Sequence, residues 1–466
     1  MSGKAVTDDL VKFITGTTFE SLPGGVVQEV KRSLLDSFGC ALAGIATEKG
    51  KIALSLAKRL GGTAESTIIG VGGKVSCTNA AYVNGELING LDFDAIPHIQ
   101  PFVVPPVLAV GESAAASGKD LIVATAIAQE IARRLSGIFL AHMGASLVKH
   151  GKTPDVFGNS NEHILGAAAG VGRLLHLTPE KTAQALGIAG YFCSLPVCRD
   201  WESTMPKSMS KYAPAGWLCQ GAVTAGLLAE QGFTANPAVL DGDYGFPRFY
   251  GGAERWNPDA IVDKLGQEWK FYGINYKPYP CCKFIHTELD CFIDIIETND
   301  LFPDQIESIK AYSLPFVAHP DQHSVTTQVD AQFSVPYNLA VAAYRVKCGP
   351  SWQDMEVIND PRIRAFMKKV SVGVDPEMVA VRAKDSQAFP ARVEVAADGK
   401  TYVKEAKYSK GTALPGYRLT DEQLVEKFKL NAARMLTQTK IDKAVETVMA
   451  LEKLECVPAL AASLAL

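Results

Sequence analysis

Along the first 267 residues apolar positions recur at helical spacing, with small residues filling the intervals. Ile164 to Leu175, reading ILGAAAGVGRLL, places alanine and glycine where helices pack backbone to backbone. Thr178-Pro179-Glu180 is a helix start: a cap, a proline in the first turn, then an acid. Near Trp269 the period changes. Glu307 to Leu314 and Lys369 to Val374 alternate as strands, and Arg392 to Glu394 and Thr401 to Lys404 flank the hairpin signal Asp398-Gly399. Helices are expected between them at Val335 to Val346 and Asp360 to Lys368. After Pro415-Gly416 the helical period returns, with a capping box at Thr420 and Gln423 and one apolar face from Ile441, Ala444, Val445, Val448, Met449 and Leu451. The pattern predicts a mainly α protein. A large, discontinuous all-helical bundle domain covers 1–267 and 412–466, and a smaller α+β domain covers 268–411.

Composition narrows the partners. A chain of 466 residues exceeds one typical core, in keeping with two domains. The net charge is −4 and no long run of one sign occurs, which argues against nucleic acid. The 10 cysteines lack paired metal spacing and read as reduced, buried thiols of an intracellular protein. The N-terminal MSGKAVTDDLVKF has no apolar signal core. The apolar stretches at Phe102 to Val110 and Val457 to Leu466 carry prolines and fall short of the about 20 residues a bilayer span needs. A soluble, cytoplasmic protein without membrane partners is expected.

Candidate chemistry concentrates in Ser66 to Asp94, which ends in two acids, Asp92 and Asp94. Ala80, Ala81, Gly85 and Gly90 let the preceding helix pack closely, so these acids sit beside the core, where a carboxylate needs a partner or a task. His98 and the run HIQPFVVPPVLAVGE follow. Three later segments complete a set: KSMSKYAPAGW at Lys207 to Trp217, GINYKPYPCCKFIH at Gly273 to His286, and DAQFSVPYNLAVA at Asp330 to Ala342. With PGYRLTDEQLVEKF after them, the ordered set resembles the MmgE/PrpD family over nearly the whole chain. Its members include 2-methylcitrate dehydratases, cis-aconitate decarboxylases and iminodisuccinate epimerases. The resemblance implies a large helical domain, an α+β lid and an active site between them.

It also implies roles. Asp92 and Asp94 match the first two acids of an LDFDD motif whose third position is Ala95 here. His98 matches the histidine before the proline-broken run, Lys211 the lysine of K-x-x-x-A-G, Lys277 that of K-x-Y/F-P, and Tyr337 the tyrosine of SxPY. Asp92, His98, Lys211 and Tyr337 are the expected catalytic residues. Lys277, Lys207, His150, His163 and Cys282 are the expected substrate-binding residues. The chain departs from the family twice. A usual His-Pro-Thr motif is absent from HGKTPDVFGNSNEHILGAAAG, where His150, Lys152 or His163 could substitute. Cys282 stands where some members, cis-aconitate decarboxylases among them, have histidine.

The chemistry can be argued without the family. Taking a proton from carbon next to a carboxylate builds negative charge, which needs cations or donors aimed at it. Lys211, Lys277 and Lys207 can supply them. A base and an acid must reach the reacting atoms; His98 oriented by Asp92, with Tyr337 opposite, fits that need. Lys211 precedes a small-residue helix, which would put its ammonium and a helix N-terminus at one substrate carboxylate. Each residue also has a plainer role open to it: Asp92 as a cap or arginine partner, His98 and Tyr337 in packing, the lysines solvated.

Other motifs fail. Gly70 to Lys74 lacks the spacing of a phosphate loop, Pro320 interrupts His319 and His323, and neither G-x-S-x-G nor a dinucleotide fingerprint occurs. No cofactor and no metal are expected. The expected activity is acid/base chemistry on a small anionic carboxylate substrate, in a homodimer. A hydro-lyase of the 2-methylcitrate dehydratase type comes first. An iminodisuccinate-type epimerase follows, favoured by the missing His-Pro-Thr, and then a cis-aconitate-type decarboxylase, disfavoured by Cys282. A non-catalytic binder of an anionic metabolite is the rival from another class, left open by the loss of two family histidines.

Overall fold

The computed structural model describes residues 6–150, 154, 156, 158–241, 246, 257–315 and 322–466, with backbone alone at 139–143 and 147–148. Lys152 and His319 lie outside these residues. The chain is mainly helical, with a four-stranded sheet in its second half and a two-stranded ribbon, Ser66–Thr67 with Lys74–Val75, in its first. Among the described residues no helix is long and apolar enough to cross a membrane.

The helix Gln100–Ser113 is the axis of the helical body. Gln100 through Glu112 are all buried, although Pro105 and Pro106 lie inside the helix. A helix apolar on every side must be surrounded. Here Cys77–Asn89, Gly118–His150, His163–Leu174 and Ala215–Glu230 enclose it. The alanine and glycine pattern is what lets them close in. A Cβ at Gly166 would come within 2.4 Å of the Ala128 carbonyl oxygen, and one at Gly85 within 2.8 Å of Cys219 Sγ. The helices Asp421–Ala432, Gln438–Met449 and Val457–Ser463 return to this body, packing on Gly24–Gly44 and Gln100–Ser113. One apolar cluster accordingly joins residues from Val6 to Tyr276 with residues from Leu419 to Leu464.

A second cluster runs from Tyr279 to Ala397. Its sheet has the order Val370–Val374, Ile306–Ser313, Ala391–Ala397, Lys400–Ala406. The first pair is parallel and the others antiparallel. Ala391–Ala397 alternates strictly between buried and half-buried positions, as a strand covered on one face must. Asp398 and Gly399 both adopt positive φ (50° and 71°), the geometry a two-residue hairpin requires. The helices His286–Thr298 and Val335–Ala343 cover the sheet. The second ends at Ala343, three residues before the expected Val346, because the backbone turns at Tyr344.

Glu288 is wholly buried on the helix His286–Thr298 with no ion-pair partner among the described residues. Burial pushes its carboxyl up to about 8, and Ser313 offsets only part of this. The folded state therefore holds a proton that the unfolded chain releases, so stability falls as pH rises from about 4.3 to 8. Glu288→Gln keeps the volume and removes the cost. We expect its Tm to exceed that of the wild type at pH 8 and to converge with it at pH 4, by scanning calorimetry across that range.

Candidate active site

Asp92 lies just past the C-terminal end of the helix Cys77–Asn89, where carbonyls lose their helical partners. Five successive carbonyls there each accept a bond from a distant side chain. Lys211 Nζ donates to Asn89 (2.9 Å), Gln332 Nε2 to Gly90 (2.9 Å), Gln353 Nε2 to Leu91 (2.7 Å), Lys277 Nζ to Asp92 (2.7 Å) and Lys427 Nζ to Phe93 (2.7 Å). Held this way, Asp92 adopts φ 53°, and so does Lys211. Non-glycine residues enter that region at a cost and do so repeatedly at functional sites.

The same lysines grip the Asp92 side chain. Lys211 Nζ is 2.7 Å from Oδ1 and Lys277 Nζ is 2.6 Å from Oδ2, with all three groups buried. Burial pushes the Asp92 carboxyl up, but Lys211, Lys277 and His98 outweigh it and hold the group well below the usual carboxylate range. Burial also drags the Lys211 ammonium down, with Asp92 offsetting only part. Lys277, which feels both Asp92 and Asp94, ends above its usual value despite burial. Each ammonium spends two of its three protons here and keeps one donor.

His98 Nδ1 lies 2.6 Å from Asp94 Oδ2, and its Nε2 lies 4.0 Å from Asp92 Oδ1. The orienting acid is therefore Asp94, not Asp92 as the sequence suggested. Asp92 cannot serve because both of its oxygens are already taken by ammonium groups. With Nδ1–H donating to Asp94, Nε2 of the neutral ring is free to accept a proton. The ring packs on Tyr212 (centroids 4.7 Å apart), whose hydroxyl accepts from Asn89 Nδ2 at 2.9 Å. Burial pushes the Asp94 carboxyl up, and His98 outweighs it, leaving it low. Asp94 Oδ1 has no hydrogen-bond partner among the described residues. Of the four charged groups and the imidazole, His98 keeps the most exposed surface, 12% against 1% or less.

Asp92, Asp94 and His98 offer three ligand atoms within 4.8 Å of one another, a grouping that linear spacing did not reveal. The donor set does not suit a divalent cation. Both Asp92 oxygens carry ammonium partners, and the two positive charges would repel the metal.

Other expected residues lie elsewhere. Lys207 turns its ammonium onto the carbonyls of Trp201 (3.2 Å) and Glu202 (2.7 Å) and over the Trp201 ring, so it is engaged at a helix end rather than free for substrate. Tyr337 is packed in the second apolar cluster with its hydroxyl donating to the Trp352 carbonyl, which leaves no proton for substrate. It supports the turn that carries Gln353. His150 is exposed at the last residue of Gly118–His150, and among the described residues nothing ties it to Asp92. His163 is buried, its Nε2 3.1 Å from Ser136 Oγ, and burial drives it down to about 3, so it remains neutral. Cys282 belongs to the site's surroundings: burial and Asp92 push its thiol up to about 12, against Lys277. The Lys211 ammonium meets the Asn89 carbonyl at the C-terminal end of a helix and the Asp92 carboxylate, rather than joining the N-terminus of the helix Ala215–Glu230. That helix begins four residues later, and its Gly216 N–H donates to Glu86 Oε1 at 2.7 Å. Gln332, Gln353 and Lys427 were not anticipated, because nothing in their local sequence marks a donor to a carbonyl.

The chain matches the MmgE/PrpD N-terminal domain over residues 8–259 and the MmgE/PrpD C-terminal domain over residues 279–453. It belongs to the MmgE/PrpD family. Among curated relatives it is similar to the cis-aconitate decarboxylase of Homo sapiens, 27% identical over 97% of this chain and 93% of that protein. The Mus musculus enzyme of the same name is 26% identical over 97% and 92%. The Aspergillus terreus one is 23% identical over 96% and 94%.

Asp92→Asn should leave two buried ammonium groups without an anion and cost about 3–5 kcal/mol of stability. The Asp92 carboxyl is held low, so its contribution is complete above about pH 4 and is lost only as pH falls into strong acid. Denaturant titrations should show a constant gap between variant and wild type from pH 7 to 5 that narrows only in strong acid. Because the donor set is occupied, turnover should survive exhaustive chelation with EDTA. A loss that a divalent metal restores would contradict this.

Proposed function

We propose that the chain is a cofactor-independent lyase that moves a proton at the carbon beside a carboxylate of a small polycarboxylic acid, by dehydration of a 2-methylcitrate-type hydroxy acid. The observation that carries this reading is His98, fixed at Nδ1 by Asp94 with Nε2 free beside the Asp92–Lys211–Lys277 cluster. Nε2 takes the proton from carbon, and the electrons of that C–H bond form the double bond. The C–O bond then breaks, and the imidazolium returns its proton to the leaving hydroxyl as water. The spare donors of Lys211 and Lys277 stabilise the charge that builds on the neighbouring carboxylate. The unpartnered Asp94 Oδ1 offers an acceptor for the substrate hydroxyl.

A second reading, decarboxylation, is supported by the names of the relatives. There the C–C bond to a carboxyl breaks, carbon dioxide leaves, and the His98 imidazolium protonates the carbon. Incubation with citrate, 2-methylcitrate, cis-aconitate and aspartate-derived diacids in deuterated water, followed by proton NMR, separates the cases. We expect deuterium incorporation and an olefinic product from the hydroxy acid. Carbon dioxide release from cis-aconitate alone supports the second reading. Exchange without elimination supports epimerisation, and no exchange with any acid supports a binder. His98→Asn should lower kcat by roughly 100-fold or more in whichever reaction is found.

A further inference from the structure

At the Asp92 cluster two carboxylates face two ammonium groups, so the cluster has no spare positive charge for a polyanionic substrate. Arg133 can provide it. It lies on the helix Gly118–His150, three residues before Ser136, and its Nε is buried without a hydrogen-bond partner. Its neighbour Arg134 is fully engaged, donating to the carbonyls of Ile261, Asp263 and Glu268. Glu130, the one acid that Arg133 feels, is committed to Arg134 Nε (2.6 Å) and to the backbone N–H groups of Lys270 (2.9 Å) and Phe271 (3.1 Å). No acceptor among the described residues bonds Arg133. An arginine keeps its proton even when burial lowers its affinity for it, so a guanidinium left this way lacks an anion.

Its place is beside the active-site loop. Nη2 lies 3.7 Å from where a Cβ on Gly273 would stand. Gly273 opens the segment that pairs with that loop: Ile96 and Asn275 exchange both backbone hydrogen bonds (3.0 and 2.8 Å), and Lys277 follows. Four residues span at most about 14 Å, so the backbone of Gly273 and that of Lys277 are no farther apart than this. His163, bonded to Ser136, interacts electrostatically with both His98 and Arg133.

We propose that Arg133 is the substrate anchor, binding a carboxylate remote from the reacting carbon through its planar fork, and so selects polycarboxylic over monocarboxylic acids. This rests on the proposed reading of the site. Arg133→Ala and Arg133→Lys, with kcat and KM measured on the best polycarboxylic acid, test it. For Arg133→Ala we expect KM to rise roughly tenfold to 100-fold with kcat little changed, the loss of a charge-assisted contact. Arg133→Lys should recover part of it, restoring charge but not the fork. Against an analogue whose remote carboxylate is an amide, wild type and variants should perform alike. The Tm of Arg133→Ala should hold or rise, since a half-buried charge with no acceptor among the described residues is removed. An unchanged KM overturns the proposal, as does a fall in Tm with kcat and KM both damaged and no recovery in Arg133→Lys. If the wild type turns over no polycarboxylic acid, the functional reading fails, and calorimetric binding of citrate decides the anchor. Binding weakened by Arg133→Ala keeps it; equal or absent binding in both proteins overturns it.

Discussion

The site depends on a run of helix-end carbonyls that cannot satisfy themselves. From Asn89 to Phe93 each carbonyl is bonded by a donor from a different part of the chain: Lys211 from the helical body, Lys277 at the junction, Gln332 and Gln353 from the sheet-bearing segment, and Lys427 from the returning C-terminal helices. A buried carbonyl without a partner costs roughly 1–3 kcal/mol, so the loop is stable only when all of these segments are docked. The loop thereby couples assembly of the fold to assembly of the site.

Three of those donors are charged; Lys427 is paired with Asp36, and the other two make an acid at position 92 necessary. An ammonium group taken out of water needs an anion, and Asp92 serves Lys211 and Lys277 at once. Once its oxygens are committed, it is fixed as an ion-pair centre and can no longer orient the imidazole. Asp94, two residues on, takes that role. Two acids that look alike in sequence thus differ in function because only one of them meets the lysines.

The small-residue helices follow from the same requirement. Buried donors must be brought to the loop from several directions, so the elements carrying them must approach closely. The near-contacts at Gly166 and Gly85 show how little room a larger side chain would have. The Gln100–Ser113 helix, buried from Gln100 to Glu112, begins two residues after His98 and anchors the other end of the Asp92–His98 loop.

Much of this was legible in the chain itself. Helical periodicity, the Thr178 and Thr420 caps and the Asp398-Gly399 hairpin are local signals, set by backbone geometry within a few residues, and the elements form where those signals lie. The motifs around Asp92, His98, Lys211 and Lys277 likewise singled out four residues that the fold brings together. Tertiary structure alone decided how those residues divide the work. Tyr337 and Lys207 carry the right chemistry in the right motifs, yet the Trp352 carbonyl claims the hydroxyl and a helix end claims the ammonium. The pairing of His98 with Asp94, the roles of Gln332, Gln353 and Lys427, and the unpartnered guanidinium of Arg133 were equally beyond reach. A sequence states which groups can donate, accept or carry charge. Which partner each one finds depends on distances set by packing, between neighbouring turns as for His98 and Asp94 and between segments more than a hundred residues apart as for Lys211 and Asp92.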